Sequence, residues 1–180
     1  MTTLCQAELT EYDRSGFHLS RQLFDAEEIE LLRRSARQDQ ALDAHAFGRA
    51  DGEGGTVRLS LWNHPGQGIY GAFARSQRLV GIAEQLLRDE PYHYHSKMIM
   101  KDALTGGAWA WHQDYGYWYG NGVLTPNLVS AFIAVDPATK ANGCLQVIIN
   151  NKNEALITLH VLDFIIGCTE SLLYFILMLL

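Results

Sequence analysis

Apolar positions recur at helical spacing in the first half of the chain and at strand spacing in much of the second. Ile29, Leu32 and Ala36 follow Asp25, and Glu28 stands three residues after that aspartate, so a capping-box start and an amphipathic helix are predicted over residues 23–38. Phe24 is placed to pack just outside the cap. Leu79, Ile82, Ala83, Leu86 and Leu87 form a second apolar stripe, opened by Ser76 and closed before Pro91, which predicts a helix ending near Asp89. Between the two, the glycine-rich residues 51–55 give way to Val57, Leu59 and Leu61 alternating with Arg58, Ser60 and Trp62, the pattern of a short strand.

From Tyr92 the character becomes extended. Residues 92–100 read as a strand, Gly106-Gly107 breaks it, and Ala108 to His112 resumes. Leu128 to Val135 and Cys144 to Ile149 are further extended runs, separated by Asp136-Pro137 and Asn142-Gly143. Short strands after two helices predict a mostly β chain with N-terminal helices, an α+β fold built as an antiparallel sandwich or jelly roll. No internal repeat is present.

Composition narrows the function classes. With 180 residues, 48% apolar, 19% charged and a net charge of −6, the chain describes a globular domain long enough to bury a core without disulfides. Its three cysteines show no C-x-x-C spacing, so neither a disulfide framework nor a cysteine-built zinc site is expected, and a reducing cytoplasm fits. Twenty acids outnumber fourteen unclustered basic residues, which argues against nucleic acid as a partner. No apolar leader opens the chain, and a cytoplasmic location is expected. Oligomeric state is left open.

Residues 149–180 differ from the rest. All ten arginines lie at or before Arg88, glycine nearly vanishes after Gly143, and the tail is filled with Ile, Leu, Asn and Phe. The uncharged run 171–180 is half the length of a membrane span, and Asp163 and Glu170 interrupt the longer stretch, so no membrane partner is expected. The open readings are a buried amphipathic helix, a membrane tether, or a segment foreign to the original reading frame. The expected organisation is a domain over 1–148, with 149–180 outside it.

The densest reactive cluster runs from Trp109 to Tyr119. His112 and Asp114 stand two apart, so on a strand both side chains leave from one face, close enough to share a metal ion. Imidazole and carboxylate are two of the three ligands of the facial triad that holds non-haem Fe(II). Taken alone, the H-x-D tripeptide reads more readily as a surface hydrogen-bonded pair.

Four segments in order resolve that ambiguity: His95-Ser96-Lys97-Met98-Ile99-Met100-Lys101, then Trp111-His112-Gln113-Asp114, then Ala134-Val135-Asp136, and Asn142-Gly143-Cys144-Leu145-Gln146-Val147. Together they resemble the phytanoyl-CoA dioxygenase (PhyH-like) family, as does, less specifically, Gly16-Phe17-His18-Leu19 followed by Leu23-Phe24-Asp25. The resemblance implies a double-stranded β-helix, or cupin-like jelly roll, that uses Fe(II), O2 and 2-oxoglutarate to hydroxylate a small or lipid-like molecule. It implies His112 and Asp114 as iron ligands and Gln113, Lys97 and Lys101 as cosubstrate contacts. Both lysines read equally as exposed strand charges. Tyr115, Tyr117 and Trp118 would line the substrate pocket with Tyr119, Trp109 and Trp111, the last two reading as well as core packing. His93 and His95 suggest a second metal pair or, better, shielded histidines. Cys144 reads as a small buried apolar residue.

The chain also departs from that pattern. The G-S-H turn, the distal histidine and the arginine that binds the far carboxylate of 2-oxoglutarate are missing after residue 148, and His160 sits in no family motif. An oxygenase with impaired activity is therefore expected, as from a truncated chain. The alternative is a non-catalytic cupin-like domain that binds a small ligand.

Overall fold

The computed structural model describes residues 3–50, 55–104, 109–148, 160–163 and 172–180; for 109–111, 113, 148, 160–163 and 172–177 the description is of the backbone alone. Helices α1 (Gln6–Ser15), α2 (Ala26–Gln38) and α3 (Gln40–Ala44) precede β1 (Phe47–Ala50) and β2 (Thr56–Trp62). Helices α4 (Ile69–Ala74) and α5 (Gln77–Leu87) then lead to β3 (His93–Lys101), β4 (Trp109–Gln113), α6 (Asp114–Gly120) and β5 (Val129–Ala134). The described strands end with β6 (Gln146–Ile148), β7 (His160–Asp163) and β8 (Leu172–Leu179). All pairings are antiparallel, in a five-stranded sheet ordered β1-β2-β3-β8-β5 and a three-stranded sheet ordered β4-β7-β6.

The two predicted helices form for the expected reasons. Asp25 accepts from the Glu28 amide and Glu28 from the Asp25 amide, closing the capping box, while Arg78 of α5 grips the Glu28 carboxylate and the Leu23 carbonyl. This ties the start of α2 to α5 and seats Phe24 on Phe73. Leu32, Ala36, Leu79 and Ala83 then bury against Met98, Met100, Ile133, Val135 and Leu179 on one face of the large sheet. Its other face carries a smaller cluster of Val57, Leu59 and Ile99, covered by Phe132 and Leu145. The alternation along β2 and β3 thus sorts side chains between a helix-covered face and a concave face.

Four helices were not legible in the apolar pattern: α1, α3, α4 and α6. Helix α1 buries little beyond Ser15 and is held by polar ties, Leu4 N to Gln85 Oε1 at 2.8 Å and Arg88 to Asp13 at 2.6 Å. Short α3 and α4 each expose no periodic stripe long enough to read. The tail supplies a larger surprise. Residues 172–179, expected outside the domain, form a strand in the middle of the large sheet, paired with β3 along one edge and β5 along the other. Met178 and Leu179 are among its buried residues. None of the described helices is long and apolar enough to cross a membrane.

Candidate metal centre

His112 and Asp114 come together, although by a different route from the one expected. The strand ends at Gln113 and Asp114 opens helix α6, so the two residues do not share a strand face. The strand-to-helix turn nonetheless brings His112 Nε2 to 3.3 Å from Asp114 Oδ1. Two bonds of about 2.1 Å meeting at a right angle on a first-row metal place their donors about 3 Å apart. A nitrogen and an oxygen donor at this separation fit two adjacent positions of such an ion. Among the described residues no cluster of three histidines, cysteines or carboxylates forms around them.

The carboxylate is ready to bind a cation. Burial by itself pushes the Asp114 carboxyl up, but the hydrogen bond from His112 and the charges of Lys97, His112 and His95 outweigh it and hold the group below its ordinary value. Lys97 stands on the concave face of β3, its ammonium pushed down chiefly by burial and also by Arg49, and supported by Asp114. Lys101, two alternations further on, is buried and donates from Nζ to the Gly143 carbonyl at 3.0 Å. It is therefore not an exposed strand charge. The acceptor owes its position to the Asn142-Gly143 pair: Asn142 is buried, accepts from Thr139 N and donates to Pro137 O, and Gly143 adopts φ 81°, which a side chain would strain. The Asn-Gly motif thus turns a carbonyl toward Lys101.

The aromatic cluster Tyr115, Tyr117, Trp118 and Tyr119 lies on helix α6. Trp118, one turn beyond Asp114 and so on its side of the helix, packs 5.1 Å from His95 and edge-on to Tyr94 at 5.4 Å. Tyr117 and Tyr119 are exposed. The side chains of Trp109, Trp111 and Gln113 lie outside the described residues, as does Cys168. Cys144 is half-buried, more open than expected.

The metal-pair reading of His93 and His95 fails at a bulge between them, while the preferred shielded reading fits buried His95. His95 is buried against Trp118, while His93 Nε2 is 2.9 Å from Ser96 Oγ. Histidine 160 stands opposite Gln113 in the ladder, and Val161 rather than His160 stands opposite His112.

Burial first, then the charges of Lys97 and His93, lower the His95 pKa to about 4, against a partial opposing effect of Asp114. The unfolded chain takes up this proton below about pH 6.5 and the folded chain only near 4, so stability falls as pH drops through that window. Between pH 7 and pH 5 the loss from this group should be on the order of 2 kcal/mol. The depressed Asp114 acts only below its ordinary range and does not enter that interval. Urea denaturation at the two pH values should show the loss in the wild type and a clearly flatter dependence in His95→Gln; identical slopes would remove His95 as the cause.

A family model described as phytanoyl-CoA dioxygenase (PhyH) matches residues 12–156. The L-proline trans-4-hydroxylase of Streptomyces griseoviridis is 37% identical over 102 residues, covering 56% of this chain and 38% of that protein. The ectoine dioxygenase of Halomonas elongata is 28% identical over 149 residues, covering 81% of this chain and 45% of its own. The chain therefore spans less than half the length of these curated relatives. In structure it is similar to EctD from S. alaskensis in its apoform, with a TM-score of 0.80 at 18% identity over 98% of this chain and 76% of that one. It is also similar to EctD with 2-oxoglutarate and 5-hydroxyectoine, with a TM-score of 0.76 at 19% identity and the same coverage. These likenesses show the jelly-roll fold with its added helices.

Proposed function

Because this chain belongs to the phytanoyl-CoA dioxygenase (PhyH) family, we propose that it serves an Fe(II)- and 2-oxoglutarate-dependent oxygenase activity that hydroxylates a small or lipid-like molecule. The observation that carries this reading is the 3.3 Å approach of His112 Nε2 and Asp114 Oδ1 beside Lys97. Bound iron, with 2-oxoglutarate and O2, would supply the oxidising power for attack on an aliphatic carbon.

The chain's own residues do the rest. His112 and Asp114 would hold the metal, and the hydrogen bond between them orients both donors in advance. Lys97, within electrostatic reach of Asp114, offers an ammonium for a carboxylate of the cosubstrate, and Gln113 is a further candidate contact. Lys101 acts at one remove, fixing the Gly143 carbonyl and the loop before β6. Trp118, packed at a tilt against His95, would form an apolar wall for the substrate space, with Tyr115 and Tyr117 on the same helix as further candidate lining. With two donors among the described residues and no arginine after Arg88, this chain by itself should hold iron weakly and turn over slowly.

The names of the relatives put proline and ectoine first among the substrates to try. The test is succinate formation from 2-oxoglutarate with Fe(II) and ascorbate, with each candidate added. Substrate-stimulated succinate that disappears in His112→Ala supports the reading. Tight binding of a small acid without iron, and with no succinate above the metal-free control, would favour the cupin-like binding domain instead.

A further inference from the structure

We infer that the cavity at the end of the large sheet, where β3 begins and β8 finishes, binds a small organic cation carrying an apolar tail. The cavity measures about 550 Å³, the size of a small-molecule site, and lies between residues 87–94, residues 121–127 and Leu180. None of His95, Lys97, His112, Asp114 and Trp118 lines it, so this binding stands apart from the metal pair and does not depend on the oxygenase reading.

The chain builds the hollow from two sharp turns and one paired strand end. Helix α5 stops at Leu87, and Arg88 takes a left-handed conformation at φ 58° that turns the chain toward β3. Tyr92 and Leu180 exchange backbone hydrogen bonds at 2.9 and 3.1 Å, which fixes the sheet side. The opposite wall follows α6. The amides of Asn121 and Val123 both donate to the Trp118 carbonyl, the Asn121 side chain donates to that of Tyr117, and Gly122 turns at φ 94°, a conformation that favours glycine. Walls tied by backbone bonds preform the cavity, which lowers the entropy lost on binding.

Its lining selects the ligand. Asp89 and Glu90 bring two carboxylates, and the described lining contains no lysine, arginine or histidine. The neighbouring cation, Arg88, is bonded to Asp13 at 2.6 Å. Glu90 N donates to Asp89 Oδ1 at 2.8 Å, and neither carboxylate is in an ion pair among the described residues. Tyr92 and Tyr94 add aromatic faces that attract a cation, and Leu87, Val123 and Leu124 receive an alkyl chain. Tyr92 and Leu124 are 60% and 74% exposed, apolar surface that an occupant would cover. A bare metal ion fits poorly, because the space far exceeds a coordination shell and no third carboxylate, histidine or cysteine joins the two acids among the described residues. An anion would be repelled, and a neutral ligand would leave the carboxylates unused.

The test is calorimetric titration of the full chain, without added metal, with hexyltrimethylammonium, 1-hexanol and hexanoate, which carry similar alkyl chains and differ in charge. The ammonium should bind saturably at millimolar concentration, the alcohol more weakly and hexanoate not at all. Tetramethylammonium should bind more weakly than its hexyl relative, by about threefold to fourfold for each methylene buried. Asp89→Asn combined with Glu90→Gln should weaken the hexyl compound roughly threefold to twentyfold, and Tyr92→Leu about twofold to fivefold. Glu84→Gln, which removes a charge from the exposed side of α5, should change it by less than about twofold. Circular dichroism checks that each variant is folded. Equal binding of ammonium and alcohol, insensitivity to the double variant, or no saturable binding by the wild type overturns the site and leaves the oxygenase reading as it stands. Loss of the ammonium in folded His112→Ala would contradict a site separate from the metal pair.

Discussion

Asp114→Asn is expected to lower the affinity for Fe(II) by about a hundredfold or more while leaving the fold in place. The substitution preserves the size of the side chain and a hydrogen-bonding oxygen for His112, so the geometry at the start of α6 is retained. What it removes is the charge. A neutral amide is a poor donor to a hard divalent cation, and loss of even an outer partner of a metal ligand typically costs ten- to a hundredfold. The same exchange removes the negative neighbour that supports the Lys97 ammonium, so Lys97 should become easier to deprotonate. Competition against a chromophoric chelator measures the metal affinity, and circular dichroism checks the fold. An Asn variant that binds iron as well as the wild type would mean that the metal, if any, sits elsewhere.

Deleting residues 172–180 should abolish folding. Strand β8 is hydrogen-bonded along both edges, and without it β3 and β5 lose their shared neighbour. Ile133 and Val135, on and just after β5, lie in the same buried cluster as Leu179, so the helix-side core would open as well. Burial of one large apolar side chain is worth about 1.5–3 kcal/mol, and Met178 and Leu179 alone represent a large part of a total stability of roughly 5–15 kcal/mol. The exposed edges would in addition template aggregation. Met178→Asp tests the point without shortening the chain, since a buried unpaired carboxylate in that strand should cost several kcal/mol. A 1–171 fragment that is soluble and melts cooperatively at the wild-type temperature would show β8 to be dispensable.

That strand marks the limit of what the chain's pattern reveals. Residues 172–179 are an unbroken apolar run, and such a run has no period of 2 or 3.6 to distinguish a strand buried on both faces from a helix. The strands from 56 to 62 and 93 to 101 were readable because each has one face toward the helices and another toward the concave side. Helices α2 and α5 were readable because stripe and cap agree. Helix α1 was not, because it is held by Asp13, Gln85 and Arg88 rather than by an apolar face.

The candidate site divides in the same way. The H-x-D spacing singled out His112 and Asp114 and the family resemblance added Lys97 and Lys101; the turn brings the first two to 3.3 Å and Lys97 lies within electrostatic reach of Asp114, whereas Lys101 is committed to the Gly143 carbonyl. Spacing alone implied that His112 and Asp114 share one strand face, whereas Asp114 begins a helix, an N-terminal position that suits an acidic residue. The bulge separating His93 from His95 left no signal in the side-chain pattern, because it is a backbone feature.

The most direct test is an anaerobic titration of the chain with Fe(II) and 2-oxoglutarate, followed by visible absorption. A charge-transfer band that needs both components and is lost in Asp114→Asn is the expected result. Absence of that band at millimolar concentrations of both, in a chain shown to be folded, would contradict the assignment of His112 and Asp114 as half of an iron centre.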